Sequence, residues 1–226
     1  MCGRYVQSTP IDELASVLEA RVRVDEWRPR YNITPGSMVL ACRLGDDGGR
    51  DLVLLHWGLI PSWAKDRKLG FRTINARAET VADKPAFRAA FKRRRCLIPA
   101  DGYYEWRATA SGKQPYFFSS RDGRPLAFAG LWEQWTDKET GEQLQSCTII
   151  VTEASERLRP IHDRMPVVLG VEDYAIWLDC ESCDRERLRP LLRPAEPDAI
   201  EVHAVDRRVN SPAHDDPSLI EPIPDD

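Results

Sequence analysis

The sequence predicts a single α+β domain with a mainly antiparallel, barrel-like β core and flanking helices. Three observations carry this expectation. Short apolar runs rich in β-branched and aromatic residues recur along the chain, with turn-forming residues between them. Helical periodicity is confined to a few short stretches. Strands and helices intermix without the regular βαβ rhythm of a parallel sheet. With 226 residues, 42% of them hydrophobic, the chain is long enough to bury a substantial core.

Residues 3–7 read as an opening strand. Thr9-Pro10-Ile11-Asp12 marks a helix start, with Thr9 as N-cap, Pro10 at the first helical position and Asp12 in the first turn. Ile11, Leu14, Ala15 and Leu18 then keep one helical face. The proline-rich stretch 27–36 reads as a loop, and 37–44 with 51–60 as a hairpin joined through glycines. Residues 61–80 lack regular periodicity and read as a long functional loop. A helix is expected over 83–94, with Phe87 and Phe91 one turn apart.

Strand-like segments follow at 96–106, 114–120 and 125–135, with Asp122-Gly123 marking a tight turn between the last two. Residues 146–154 read as another buried strand. A short helix leads into 161–169, two helical stretches occupy about 171–193, and 199–205 is a late strand. The body spans 2–210; residues 211–226, acidic and proline-containing, read as a disordered tail.

Composition narrows the function classes. No apolar run approaches the roughly 20 residues of a membrane span. The first residues show neither a signal nor a transit peptide, so a cytoplasmic or nucleoid location is expected. Six cysteines (Cys2, Cys42, Cys96, Cys147, Cys180 and Cys183) are too scattered for a disulfide framework in a chain of this size. Cys42, Cys96 and Cys147 lie in apolar surroundings and read as core residues. Cys180 and Cys183 have CxxC spacing but no second pair to complete a zinc site, so no metal is expected. The net charge of −4 argues against nucleic acid only on the surface. The last thirteen residues hold five acids and no base; the remainder carries 31 acids and 32 bases, with a cluster at Lys92-Arg93-Arg94-Arg95. Local arginine patches matter more for phosphate contact than the total does.

The chain opens Met1-Cys2-Gly3-Arg4-Tyr5. Removal of Met1 would leave Cys2 with a thiol and a free α-amine on adjacent carbons. An α-amine is roughly one-tenth neutral at pH 7, far more available than a lysine amine. Such an amine attacks aldehydes to form an imine, and the neighbouring thiol closes a thiazolidine with an intramolecular advantage. The signature is aldehyde capture; the ordinary alternative is a buried cysteine at an accidental position.

Other segments offer partners for that chemistry. Asn75, Arg77 and Glu79 alternate, which on an extended segment puts all three on one face. An amide with a guanidinium suits a sugar-phosphate; a solvated strand face is the alternative. Glu105 lies between Tyr104 and Trp106, and a carboxyl held among rings tends to be raised toward neutrality, suiting general acid–base work; a surface glutamate on an amphipathic strand is the ordinary alternative. His162 beside Asp163 and Arg164 offers a proton shuttle and a phosphate contact; a structural histidine is the ordinary alternative. Trp57 and Trp63 flank a rigid loop, where exposed tryptophan stacks unpaired bases; core packing is the ordinary role of at least one.

In this order the segments "MCGRY", "YNITPG", "WGLIPSWAKD", "NARAE", "RRCLIPADGYYEW", "FAGLWE", "IIVTEAS" and "IHDRMPVVL" resemble the SRAP family, the SOS response-associated peptidases, whose members cross-link to abasic DNA. The resemblance implies Cys2 as nucleophile with Asn75, Glu105 and His162 as its active-site partners. It implies Arg77 and Arg164 as phosphate contacts, Arg4 in the same groove, and Trp63 and Trp106 as aromatic walls. The expected partner is single-stranded DNA containing abasic sites, bound by a monomer without cofactor or metal. A Schiff-base intermediate also permits β-elimination, hence a lyase branch. Two alternatives stand beside this reading: a self-processing peptidase using the Cys2 thiolate, and a DNA-binding module in which Cys2 is incidental.

Overall fold

The computed structural model describes residues 2–110, 112–181 and 184–224. In chain order the strands are β1 (Tyr5–Gln7), β2 (Ala20–Val22), β3 (Arg30–Ile33), β4 (Met38–Leu44), β5 (Arg50–Trp57), β6 (Asn75–Arg77) and β7 (Arg95–Ala100). There follow β8 (Gly102–Thr109), β9 (Gly112–Ser120), β10 (Leu126–Thr136), β11 (Gln143–Glu153), β12 (Arg164–Pro166) and β13 (Ile200–Ala204). The α-helices are α1 (Ile11–Leu18), α2 (Arg88–Arg93), α3 (Tyr174–Leu178) and α4 (Arg185–Leu188).

Strands β11, β10, β7, β4 and β5 pair in that order, and β11 pairs back on β5 through Ser146↔His56 and Cys147↔Trp57. Five strands thus close on themselves. A second sheet runs β13-β9-β8-β1-β3. Alternation of side chains explains why the barrel strands read as continuous apolar runs. Val39, Ala41, Cys96, Ile98, Phe128, Cys147 and Ile149 enter one cluster with Tyr5, Tyr103 and Phe118 of the second sheet. Leu40, Cys42, Leu97, Ala127, Ala129 and Ile150 enter another with Leu14 and Leu18 of α1, Phe91 beside Ala90 in α2, and Trp177 of α3. Both faces are buried. The α+β barrel-like expectation holds, as does the core placement of Cys42, Cys96 and Cys147, each fully buried.

Several local expectations change. Helix α1 begins at Ile11 with no side-chain cap. Thr9 instead donates its backbone N–H (3.1 Å) and its hydroxyl to Asp101. The stretch 27–36 contains β3, and the loop 61–80 contains β6 and a 3-10 turn at Arg67–Arg72. The segment 96–106 is two strands in different sheets: β7 belongs to the barrel, β8 to the second sheet, and Asp101 marks the transfer. Gly102 is required there, because a Cβ would stand 2.4 Å from the Phe118 carbonyl oxygen. The turn at Asp122-Gly123 exists, with Gly123 at φ +73, but β9 and β10 it joins lie in different sheets rather than in one hairpin. Residues 156–161 are turns rather than a helix.

Asp101 also accepts from the Ser8 N–H at 2.5 Å, so one carboxylate ties the β1–α1 link to the β7–β8 link. Asp101→Ala leaves these donors unpaired and is expected to cost about 2–3 kcal/mol. Urea unfolding with an unchanged slope and a lower midpoint would show it.

The acidic segment after residue 210, disordered by composition, makes specific contacts over 211–224. Asp215 accepts from the Tyr31 and Asn32 N–H groups at 2.5 and 2.9 Å and pairs with Arg30. Leu219 is fully buried with Val6, Tyr104, Phe117, Val205 and Val209. Asp215 and Asp216 of this segment meet arginine and N–H partners, which composition alone does not reveal. Among the described residues no His, Cys, Asp and Glu group could hold a metal, and no helix is long and apolar enough to cross a membrane. Cys183 of the CxxC pair lies outside the described residues.

Candidate functional site

Strand register brings the start of the chain to Glu105. Antiparallel β1 and β8 pair Tyr5↔Tyr103 and Val6↔Gly102. The Tyr104 N–H then donates to the Arg4 carbonyl at 2.9 Å. Each step backward on β1 is a step forward on β8, which sets Gly3 opposite Glu105 and brings Cys2, one residue further, close enough to feel that carboxyl. The charge of Glu105 is felt at the Cys2 sulfur: burial, then Glu105, pushes that thiol well above the ordinary range.

Strand β11 supplies the other side. It pairs in parallel with β6, Asn75↔Ile149 and Arg77↔Val151, and antiparallel with β12, Glu153↔Arg164. Asn75 and Arg77 therefore share a face, with Ala76 buried on the other. The Asn75 amide donates to the Cys2 carbonyl at 2.7 Å. Trp57 braces both arms: its indole N–H donates to the Ile74 carbonyl at 3.0 Å, and its ring meets Tyr5 edge-on at 5.0 Å.

Glu105 is 3% exposed. Burial raises its carboxyl from the ordinary 4.5 to about 7. His162 Nε2 lies 3.7 Å from Glu105 Oε2. At His162 Nδ1 the Arg164 backbone N–H stands at 3.0 Å and the Arg164 carbonyl at 3.3 Å, so either neutral tautomer finds a partner there while Nε2 faces Glu105. Asp163, 82% exposed, stands 3.2 Å from the same Nδ1. Burial pulls the imidazole below its usual range, keeping it neutral near pH 7. The four residues Cys2, Asn75, Glu105 and His162, distant in sequence, meet at one place.

The outer residues divide. Arg77 is exposed on the Asn75 face, and Arg164 pairs with Glu79 beyond it. Glu79 follows β6 in a turn, not on the extended face that its spacing predicts. Trp63 is 58% exposed beside a depression of about 470 Å³ shared with Lys65, Lys68 and Arg72. Trp57 is the buried member of the pair. Phe71, 68% exposed, adds an aromatic surface that no sequence pattern singles out; it lies in a turn with no periodicity to mark it.

Arg4 and Trp106 are placed differently from an open groove. Arg4 Nη1 donates to Asn32 Oδ1 at 2.7 Å and to the Val209 carbonyl at 2.6 Å, and Nη2 to the Asn210 carbonyl at 3.2 Å. Trp106 packs on the cluster of Val6, Tyr104 and Val209, and its indole N–H donates to Asn210 Oδ1 at 2.7 Å. Alternation along β8 puts Trp106 on the face opposite Glu105.

Residues 1–212 match the family described as SOS response associated peptidase (SRAP). A Bacillus subtilis (strain 168) protein named abasic site processing protein YoqW is 41% identical over 224 residues, covering 98% of this chain and 99% of its own. The Gallus gallus abasic site processing protein HMCES is 36% identical over 264 aligned positions, covering 99% of this chain and 78% of its own. A crystal structure of a Bacteroides thetaiotaomicron protein superposes with a TM-score of 0.90 at 25% identity, over 98% of this chain and all of that one.

Proposed function

Because the chain belongs to the SOS response-associated peptidase family, we propose that it processes abasic sites in DNA by cross-linking Cys2 to the sugar. The observation that carries this reading is the gathering of Asn75, Glu105 and His162 around the first residue after Met1. Loss of Met1 frees the Cys2 amine. The abasic sugar in its ring-opened form presents an aldehyde at C1′.

Glu105, raised to about 7, is populated both as acid and as base at neutral pH. It takes the proton from the C1′ hydroxyl and returns one to the ring oxygen as the sugar opens. The Cys2 nitrogen then bonds to C1′, and its proton passes to the former carbonyl oxygen. That hydroxyl leaves as water with a proton delivered from the Glu105–His162 pair, giving the iminium. The Cys2 sulfur bonds to C1′ as its proton departs and the nitrogen becomes neutral. One water is released for each thiazolidine formed. Asn75 holds the Cys2 backbone toward the sugar.

Arg77 and Arg164 suit the flanking phosphates. Exposed Trp63 and Phe71 suit unpaired bases, which favours single-stranded DNA as the partner. A cytoplasmic, nucleoid-associated monomer matches this reading, and β-elimination from the iminium is its lyase branch. The raised Cys2 thiol supports capture by a neutral aminothiol over peptidase chemistry, which needs a thiolate.

The test is incubation with single-stranded DNA in which uracil has been excised, followed by a denaturing gel and intact mass. The expected result is a heat-resistant band, 1:1 in mass, formed only by protein lacking Met1. DNA carrying tetrahydrofuran at the same position, which has no aldehyde, should give none. Binding without any covalent band would overturn the proposal.

A further inference from the structure

A nucleophile at a chain end faces a physical difficulty. Terminal residues fray unless tied down, while imine formation needs the amine held in a near-attack position. Asn75 and Tyr104 hold the backbone of residues 2 and 4 from β6 and β8. A third anchor comes from an unexpected quarter, the carboxy-terminal segment.

Its hub is Asn32, 1% exposed, in the "YNITPG" motif that no catalytic role absorbs. Asn32 Oδ1 accepts from Arg4. Its Nδ2 is directed at the carbonyls of Val209 (3.2 Å), Ser211 (3.1 Å) and His214 (2.8 Å). Arg4 itself reaches the Val209 and Asn210 carbonyls. Asp215 then fastens the same segment to the backbone of Tyr31 and Asn32. Residues 209–215 thus form a strap across β3 whose contacts converge on Arg4, two residues from the nucleophile.

We infer that Arg4, Asn32 and the strap at 209–215 form a clamp that positions Cys2 for attack on the sugar, with Arg4 acting as a positioning residue rather than as a phosphate ligand. The guanidinium fork suits this role, because three acceptors on two chain segments take its N–H groups, a geometry a lysine ammonium does not reproduce. The inference rests on the cross-linking reading for its kinetic consequence, but the clamp has consequences of its own.

The two roles for Arg4 predict different measurements. A phosphate ligand contributes to affinity through counterion release, about 0.7 in the slope of log affinity against log salt on a single strand. A clamp contributes to the rate once DNA is bound. Arg4→Lys and Arg4→Met should each lower the cross-linking rate at saturating abasic DNA roughly 10- to 100-fold, in line with a misplaced reacting group. Binding of both to tetrahydrofuran-containing DNA should keep the wild-type salt slope. Asn32→Ser, which touches no part of the site, should reproduce the rate defect, and the double variant with Arg4→Met should be no slower than either alone. Amide hydrogen exchange at Tyr5 and Val6 should quicken in each variant, with or without DNA.

A wild-type limiting rate in Arg4→Lys, or a salt slope reduced by about 0.7 in Arg4→Met, would overturn the clamp. If Asn32→Ser does not fold, Arg4→Lys and the exchange rates decide alone. Absence of any covalent band in the wild-type protein would instead refute the cross-linking reading, leaving exchange and salt slope to judge the clamp.

Discussion

Cys2→Ala is expected to abolish the heat-resistant DNA adduct while leaving a trace of Schiff-base chemistry. Alanine at the first mature position still carries an α-amine with a pKa near 7.7–8.0, so it still attacks the aldehyde. What is lost is the thiol that closes the ring. An intramolecular thiol acts at an effective molarity on the order of 10⁵ M, so millimolar external thiol does not replace it. The adduct surviving heat and denaturant should fall by at least roughly 10²-fold. Borohydride added during the reaction should recover a cross-linked band by reducing the imine. Strand cleavage should persist or rise, because the iminium is no longer drawn off as thiazolidine. A stable adduct formed by Cys2→Ala without reductant would place the bond on another residue. Failure of borohydride to trap anything would show that the amine never reaches the sugar.

Much of this site is legible in the sequence. Cys2 after an initiator methionine, Asn75 with Arg77 at a spacing of two, Glu105 between aromatic residues and His162 two places before an arginine are local patterns that each allow an ordinary alternative; their order along the chain, resembling the family, is what singles them out as a set. The raised carboxyl of Glu105 is foreseeable from its aromatic flanks, although the cause is burial on the inner face of β8. The barrel strands are legible because apolar runs buried on both faces need no alternation.

Long-range pairing is what a linear reading misses. The run 96–106 looks like one strand, and only its hydrogen-bond partners show that it changes sheets at Asp101. The acidic tail looks disordered because composition counts charges and not partners; Asp215 finds two N–H groups and Arg30 more than 180 positions away. The place of Arg4 beside Cys2 points to the groove, whereas its hydrogen bonds run to Asn32 and the strap. The lesson is physical: an arginine's role depends on whether its fork is already filled.

Glu105→Gln should cost the most among changes that leave the nucleophile intact, and it should also stabilise the fold. A positioned acid–base group contributes typically 10²–10⁴-fold, so the cross-linking rate should fall by about that factor. The wild-type pH profile should bend near pH 7, where the carboxyl changes form; in the variant that bend should vanish. The stability effect follows from the same shift. Unfolded, the carboxyl titrates near its ordinary 4.5; folded, burial raises it to about 7. Between those values the folded state holds a proton that the unfolded state has lost, so wild-type stability falls as pH rises through this window and levels off above it. The accumulated cost approaches about 3 kcal/mol above pH 7. Glutamine carries no such dependence. The variant should therefore match wild type near pH 4.5 and exceed it increasingly toward pH 8 in urea midpoints. Equal midpoints at pH 8 would show that the carboxylate is fully compensated where it sits, and an acid–base role resting on its raised pKa would then lose its foundation.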